Sequence, residues 1–346
     1  MLPRVPGETP RDLSRPLEEL RARVYPELAG QRLDQALRVL LPWRSRSSLV
    51  RLIKDGSVAV ERASNARSSA QSPARASMRV QAEDIVCVQI PKRLRPDDPR
   101  DWPADAELDV LFEDRWLVAI DKPAGLAVHP SGRRVSGTLI NALHARYRNV
   151  EDPARDVVPR LCHRLDRETS GLVLVAKDGQ AHAGVRRQFE ALTVRKSYLA
   201  IVEGRPEADE GLVDASLGPD SRSSIRLKIA VRADGLDART LWRVRSRHGA
   251  LTLLECFPRT GRQHQIRVHL AYIGLPIVGD KLYGPDEDYF LAAIAGELTT
   301  EARARLRLPR QALHSHTLQL EHPKTGTALH LESPLPEDLA ELLGRR

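Results

Sequence analysis

Leu33, Ala36, Leu37, Leu40 and Leu41 recur at the three-and-four spacing of one helical face, with Asp34 near the start and Pro42 as the stop. A second run of this kind begins near Ser45, carries Leu49, Leu52 and Ile53, and ends at Lys54-Asp55-Gly56. The period then changes to two. Val58 and Val60 predict a short strand, and Ile85, Val86, Val88 and Ile90 a closing one. Between them, residues 62–77 (RASNARSSAQSPARAS) predict a loop. Two helices and short strands over residues 23–92 read as a small α+β domain, preceded by a Pro- and Arg-rich arm over 1–22 that is expected to be mobile.

Residues 91–107 (PKRLRPDDPRDWPADAE) carry four prolines among many charges, so 93–107 is expected to be a linker. From Leu108 the texture changes to short strands separated by turns, with a few helices. LDVLFEDRWLVAIDKP predicts a hairpin across Glu113-Asp114, and GLVLVA (171–176) is an unbroken apolar run suited to a buried strand. Helices are predicted over 180–191 and 262–273, and a strand over 251–257. Residues 286–310 give no firm pattern, and no solenoid-length repeat is present.

Charge changes this picture more than composition does. The chain of 346 residues has a net charge of +8, and residues 1–100 hold 19 Lys+Arg against 12 Asp+Glu, so +7 of it sits there. A concentrated basic region suggests a polyanionic partner, nucleic acid first. Three widely spaced cysteines, Cys87, Cys162 and Cys256, argue against a disulfide framework or a structural zinc site. MLPRVPGETPRDLSRP has no apolar core of the kind a secretory leader needs, and no run of apolar residues is long enough for a membrane helix. The expectation is a cytoplasmic protein and a monomer, with no membrane partner.

Chemistry concentrates in three places. HRLDRETSG (163–171) puts one carboxylate, Asp166, between Arg164 and Arg167 at the mouth of the apolar strand. Neighbouring cations favour its ionised form, which nucleophilic or general-base chemistry requires. The bland alternative is a solvated turn with a surface ion pair. TGRQHQIRVH (260–269) packs Arg262, His264, Gln265, Arg267 and His269 together, and Thr260-Gly261 is expected to open a helix with backbone N–H groups free for an anion. No acidic or Cys ligand supports the two histidines, so no metal is expected there. Tyr198 opens the strand KSYLAIVEG with a ring able to stack on a base, although a packing role is commoner for such a residue.

HRLDRETSGLVLVAK (163–177) resembles the signature of the RluA-type pseudouridine synthases. DKPAGLAVHPSG (121–132), KSYLAIVEG (196–204), TGRQHQIRVHLAYIGLPIVGDKLYG (260–284) and RQALHSHTL (310–318) resemble further motifs of that family, in the same order. QRLDQAL (31–37), SRSSLVRLIKDGSVAV (45–60) and AEDIVCVQIP (82–91) resemble a small RNA-binding domain first described in a ribosomal small-subunit protein. Where that module usually has Asn-Gly after its strand, this chain has Glu61-Arg62.

The resemblance implies an α+β fold: a pseudouridine synthase catalytic domain over 108–346, on a mixed, largely antiparallel sheet, preceded by a small α+β RNA-binding domain over 23–92. It implies an isomerase of structured RNA, large-subunit ribosomal RNA first and tRNA second, working without cofactor or metal. By motif position Asp166 would begin the reaction, Arg267 would pair with it, and Tyr198 would stack on the target base. Arg164 would enter the RNA helix as the uridine flips out, with His163, Arg262 and His264 also at the RNA. Arg32, Arg44, Arg46, Arg51 and Lys54 would be phosphate contacts of the small domain. Two rivals remain at this point: a non-catalytic RNA-binding factor, and a glycosidic hydrolase that would need a second carboxylate, for which Glu168 is nearest in sequence.

Overall fold

The computed structural model describes residues 19–41, 46–62, 72–89, 107–130, 137–149, 151–152 and 154–344. The chain divides into two compact units, 1–104 with 129–145, and 105–128 with 146–346.

In the smaller unit the helical stripes become α1 (Leu33–Leu40) and α2 (Arg46–Lys54), and the alternating runs become β2 (Val58–Glu61) and β4 (Ile85–Gln89). Leu33, Leu37, Leu40, Leu49 and Leu52 bury together against Val58, Val60, Val86 and Val88, so the two helices and the sheet share one core. Two strands lie where none was read: β1 (Glu19–Arg23), partly inside the expected N-terminal arm, and β3 (Ser72–Pro73), inside the expected loop. The antiparallel order is β1-β4-β2-β3, so both are edge strands, held by their ladder partners rather than by a hydrophobic pattern of their own. Pro42 and Arg44, Ile90 and nearly all of the expected linker lie outside the described residues.

In the larger unit β5 (Asp109–Glu113) and β6 (Leu117–Lys122) form the expected hairpin. Its turn is closed by Asp114, whose Oδ1 accepts from the N–H groups of Trp116 and Leu117 at 2.8 and 2.7 Å. Helix α3 (Leu139–Tyr147), most of which belongs to the smaller unit, comes next in the chain, and the larger unit resumes with β7 (Arg160–Leu161) and β8 (Ser170–Ala176). Next come α4 (Gly179–Glu190), β9 (Arg195–Glu203), β10 (Glu210–Asp214), the small pair β11 (Leu217–Pro219) and β12 (Ile229–Val231), β13 (Arg239–His248) and β14 (Leu251–Pro258). The chain closes with α5 (Gln265–Tyr272), α6 (Asp288–Ala295), α7 (Thr300–Leu306), β15 (Leu313–Glu321), β16 (Ala328–Glu332) and α8 (Glu337–Gly344). Helices α6 and α7 thus occupy the stretch 286–310 that gave no pattern in the sequence.

The main sheet runs β10-β13-β14-β9-β15-β8-β6-β5, with β16 added to β15 and β7 to β8. Only the β15–β8 contact is parallel, so the sheet is mixed and largely antiparallel. Every residue of β8 is buried, as its unbroken apolar run requires. At its start Gly171 has φ +104° and faces the backbone of β15 so closely that a Cβ would lie 2.2 Å from the Ser315 carbonyl oxygen. Only glycine fits there, and this close approach places the loop before β8 beside the segment leading into β15. No helix among the described residues is long and apolar enough to cross a membrane.

Candidate active site

Arg267 is the centre of the polar cluster. Its position on α5 buries it to 8% side-chain exposure, where an unpaired guanidinium would be very costly. Asp280, fully buried, takes Nε and Nη2 at 2.7 and 2.8 Å in a bidentate pair, and accepts the Leu282 and Tyr283 N–H groups as well. That leaves Nη1, which donates to Asp166 Oδ2 at 2.8 Å. The Tyr283 ring covers the guanidinium, its centroid 5.0 Å away. Asp166 itself keeps 31% of its side chain exposed. The arrangement therefore holds a carboxylate at an open surface from a buried, rigid cation.

Electrostatics follow the geometry. Burial pushes the Asp166 carboxyl up, but the Arg267 charge, His264 and the hydrogen bonds from Arg267 and Gln311 outweigh it and hold the group below its ordinary range. Asp280 is likewise held low: burial raises it, and Arg267 with the backbone donors more than reverses that. Burial pulls Arg267 down while the two aspartates drive it further up, so it is charged at any pH of interest. Gln311, just before β15, donates to Thr169 Oγ1 at 2.7 Å and reaches Asp166 Oδ2 at 3.5 Å.

His264 caps α5 with φ 55°, a left-handed conformation uncommon outside glycine. The helix accordingly starts at Gln265, later than the predicted 262. The Gln265 amide folds back on the preceding turn, accepting from Thr260 Oγ1 at 2.7 Å and from the Arg262 N–H at 3.0 Å. Thr260-Gly261 therefore does not open the helix, and the Arg262 N–H that follows it is already taken by Gln265. The His264 ring lies 3.9 Å from Asp166 Oδ2, and its Nδ1 pairs with the Tyr283 hydroxyl at 2.8 Å. Burial and the Arg267 charge lower its pKa to about 4, so it is a neutral ring at neutral pH.

Other expected residues fall in different places. Tyr198 is half-buried on β9, and burial, with the Asp166 charge adding to it, pushes its phenol up to about 12. Arg164 is exposed and forms no hydrogen bond or ion pair among the described residues. Arg262 is exposed, with Nε donating to the Asp237 carbonyl at 3.0 Å. His163 is turned into the fold: its Nε2 accepts the Leu174 N–H at 3.0 Å, its ring lies against Phe189, and burial lowers its pKa to about 4. That geometry does not bring it to Asp166. Both nitrogens of His269 are engaged, by Thr240 Oγ1 and the Ala215 carbonyl, each at 2.9 Å. Both oxygens of Glu168 meet Lys281 Nζ at 2.9 Å, so this second acid forms an ion pair of its own. In the smaller unit, Arg51 and Lys54 are exposed on α2, Arg32 is paired with Asp34 at 2.9 Å, and the placements of Arg44 and of the Arg46 side chain lie outside the described residues.

Sequence reasoning gave no role to Asp280, Tyr283, Gln311 or Lys122. All four lie inside stretches that carried the family resemblance, which was the available signal. Lys122 is wholly buried, and its three N–H groups match three carbonyls: Pro123 at 2.8 Å, Leu126 at 2.9 Å and Arg167 at 3.1 Å. Burial draws its pKa down to about 7, against the pull of Asp166.

Comparison with known proteins identifies the family. Residues 116–272 match the family model described as RNA pseudouridylate synthase. A protein of Nitrosomonas europaea called ribosomal large subunit pseudouridine synthase D is 44% identical, over 91% of this chain and 84% of its own length. Its Xanthomonas campestris namesake is 40% identical, over 95% and 94%. Among solved structures, human RNA pseudouridylate synthase domain containing 4 is similar with a TM-score of 0.53 and 28% identity, over 68% of this chain and 92% of that one.

Proposed function

The chain belongs to the RNA pseudouridine synthase family of RNA isomerases, of the RluA type, and from that premise we propose that it converts specific uridines of large-subunit ribosomal RNA to pseudouridine with Asp166 as the reacting carboxylate. The observation that carries the assignment is Arg267. Two of its three nitrogens donate to buried Asp280 and the third to a carboxylate left open to an incoming base.

The reaction breaks the bond from ribose C1′ to uracil N1 and forms one from C1′ to C5. The C5 hydrogen leaves as a proton, N1 gains one, and no electrons are exchanged with a partner. The enzyme must therefore supply an ionised acid in a fixed place, a surface on which the base turns, and access to the base. Asp166, kept ionised by Arg267, is the acid. Tyr198 offers its face to the uracil. The reacting bond is buried in a base-paired stack, so the nucleotide must be flipped out at a cost of a few kcal/mol. Exposed Arg164 fills the gap it leaves. Arg262 contacts the adjoining backbone, and His264, a neutral ring beside Asp166, borders the base. Phosphate contacts from Arg32, Arg51 and Lys54 add affinity that is sensitive to salt. The ribosomal substrate rests on the names of the relatives.

The test uses RNA transcripts carrying tritium at uracil C5 and measures tritium release. Asp166→Asn is expected to lower turnover by on the order of 10⁴-fold, the scale on which loss of one member of a catalytic unit acts, with RNA affinity nearly unchanged. Wild-type turnover in that variant would remove the assignment.

A further inference from the structure

Four of the five residues from Asp166 to Ser170 are tied down by partners already described: Asp166 by Arg267, the Arg167 carbonyl by Lys122, Glu168 by Lys281 and Thr169 by Gln311. The fifth, Ser170, starts a chain of buried side chains that the reaction above does not use. Ser170 Oγ lies 2.9 Å from His314 Nδ1, His314 Nε2 lies 2.9 Å from Ser333 Oγ, and Ser333 Oγ donates to Asp121 Oδ2 at 2.8 Å. Ser170 and His314 are register partners at the one parallel contact of the sheet.

The hydrogen bonds run in one direction. Asp121 accepts from the Ser333 hydroxyl, so Ser333 Oγ accepts from His314 Nε2–H. The Ser333 carbonyl, 3.3 Å from the same nitrogen, can only accept and fits that tautomer. His314 Nδ1 is then the acceptor for the Ser170 hydroxyl. Every donor is satisfied, as a network in a sheet interior must be. Ser170 is only 4% exposed and His314 and Ser333 not at all, so substrate cannot reach the serine and the chain is not a nucleophilic triad. What it does is fix a direction. An apolar pair at this crossing would bury as well but would lack the directional hydrogen bond that this chain gives the Ser170 side chain.

We propose that His314, acting through Ser170, is a positioning residue for the isomerisation: with Ser333 and Asp121 it fixes the end of the 166–170 loop and thereby aims the Asp166 carboxylate. The inference rests on the reading of Asp166 as the reacting group. Asp121 and Lys122 are consecutive on β6, so their side chains leave opposite faces of one strand. One strand end therefore grips the loop twice, through Lys122 at Arg167 and through the His314 chain at Ser170.

Tritium release from C5-labelled large-subunit ribosomal RNA transcript tests this, with rates normalised to folded protein by thermal melting. Ser170→Ala and His314→Ala are each expected to lower kcat by about ten- to a hundredfold, the cost of a misplaced reacting group, with KM unchanged. The double variant is expected to be no worse than the worse single one, because the two changes break one interaction. His314→Asn, whose amide oxygen can replace Nδ1 as acceptor, is expected to recover most of kcat. A kcat per folded enzyme within twofold of wild type in Ser170→Ala, while Asp166→Asn is inactive, would make the chain merely structural and overturn the proposal, leaving the Asp166 reading intact. Wild-type turnover in both variants would overturn both.

Discussion

Between Asp166 and Ser170 each residue is held, through a side chain or its carbonyl, by a partner from a distant part of the chain; on α2, Arg51 and Lys54 stand exposed with no partner among the described residues. On the proposed function, the contrast follows from what each region would recognise. A reacting carboxylate must lie within a fraction of an ångström of one bond, so its loop is over-determined. A phosphate backbone is a repeating charge that flexible cations meet adequately, so rigidity there adds little.

Breaking the first side of the contrast is expected to cost most. Arg267→Met leaves Asp280 buried and Asp166 unpaired, and is expected to lower stability by about 3–5 kcal/mol and turnover of the folded fraction by about 10²–10³-fold, read by denaturant melts and tritium release. Gly171→Ala follows. Its Cβ would lie 2.2 Å from the Ser315 carbonyl oxygen at φ +104°, and a loss of about 3 kcal/mol in a denaturant melt is expected.

Acid sharpens the contrast by separating folding from chemistry. His163, His264 and His314 have pKa values lowered to about 4 in the fold, from 6.5 when exposed. The unfolded chain therefore binds more protons between those values, and stability falls as pH drops from about 6.5 toward about 4. Asp166, held below its ordinary range, stays ionised over that window. The melting temperature is expected to fall from pH 7 to pH 5 while kcat per folded enzyme does not track Asp166 protonation.

The smallest effect belongs to the other side. Arg51→Ala with Lys54→Ala is expected to raise KM at moderate salt, reduce the slope of log affinity against log salt by about 2, and leave kcat at saturating RNA unchanged. A fall in kcat with an unchanged salt slope would show that these cations act on the chemistry rather than on the grip.

The two regions also differed in how far sequence reading reached. The helices of the small unit and the buried strand β8 were legible because their apolar periodicity is local. Strands β1 and β3 were not, since partners elsewhere in the chain create them. At the candidate site Asp166 and Arg267 were singled out through motif position, and they are in contact although they lie far apart in sequence. Asp280 was hidden for the opposite reason: a buried acid is recognised by the cation it neutralises, and no spacing rule connects Asp280 to Arg267 before the loop after α5 is folded. His163 sat in the densest motif and turned inward, because its ring nitrogen satisfies a strand N–H that would otherwise be buried alone.

If Asp166 is the reacting carboxylate for uridines of large-subunit ribosomal RNA, its loss must show in the cell's modified RNA. The most direct measurement maps pseudouridine, by carbodiimide modification and primer extension, in total RNA from cells lacking the gene, complemented with either the wild-type protein or Asp166→Asn. One or more ribosomal sites are expected to disappear on deletion and return only with the wild-type protein. Sites restored equally by Asp166→Asn would contradict it.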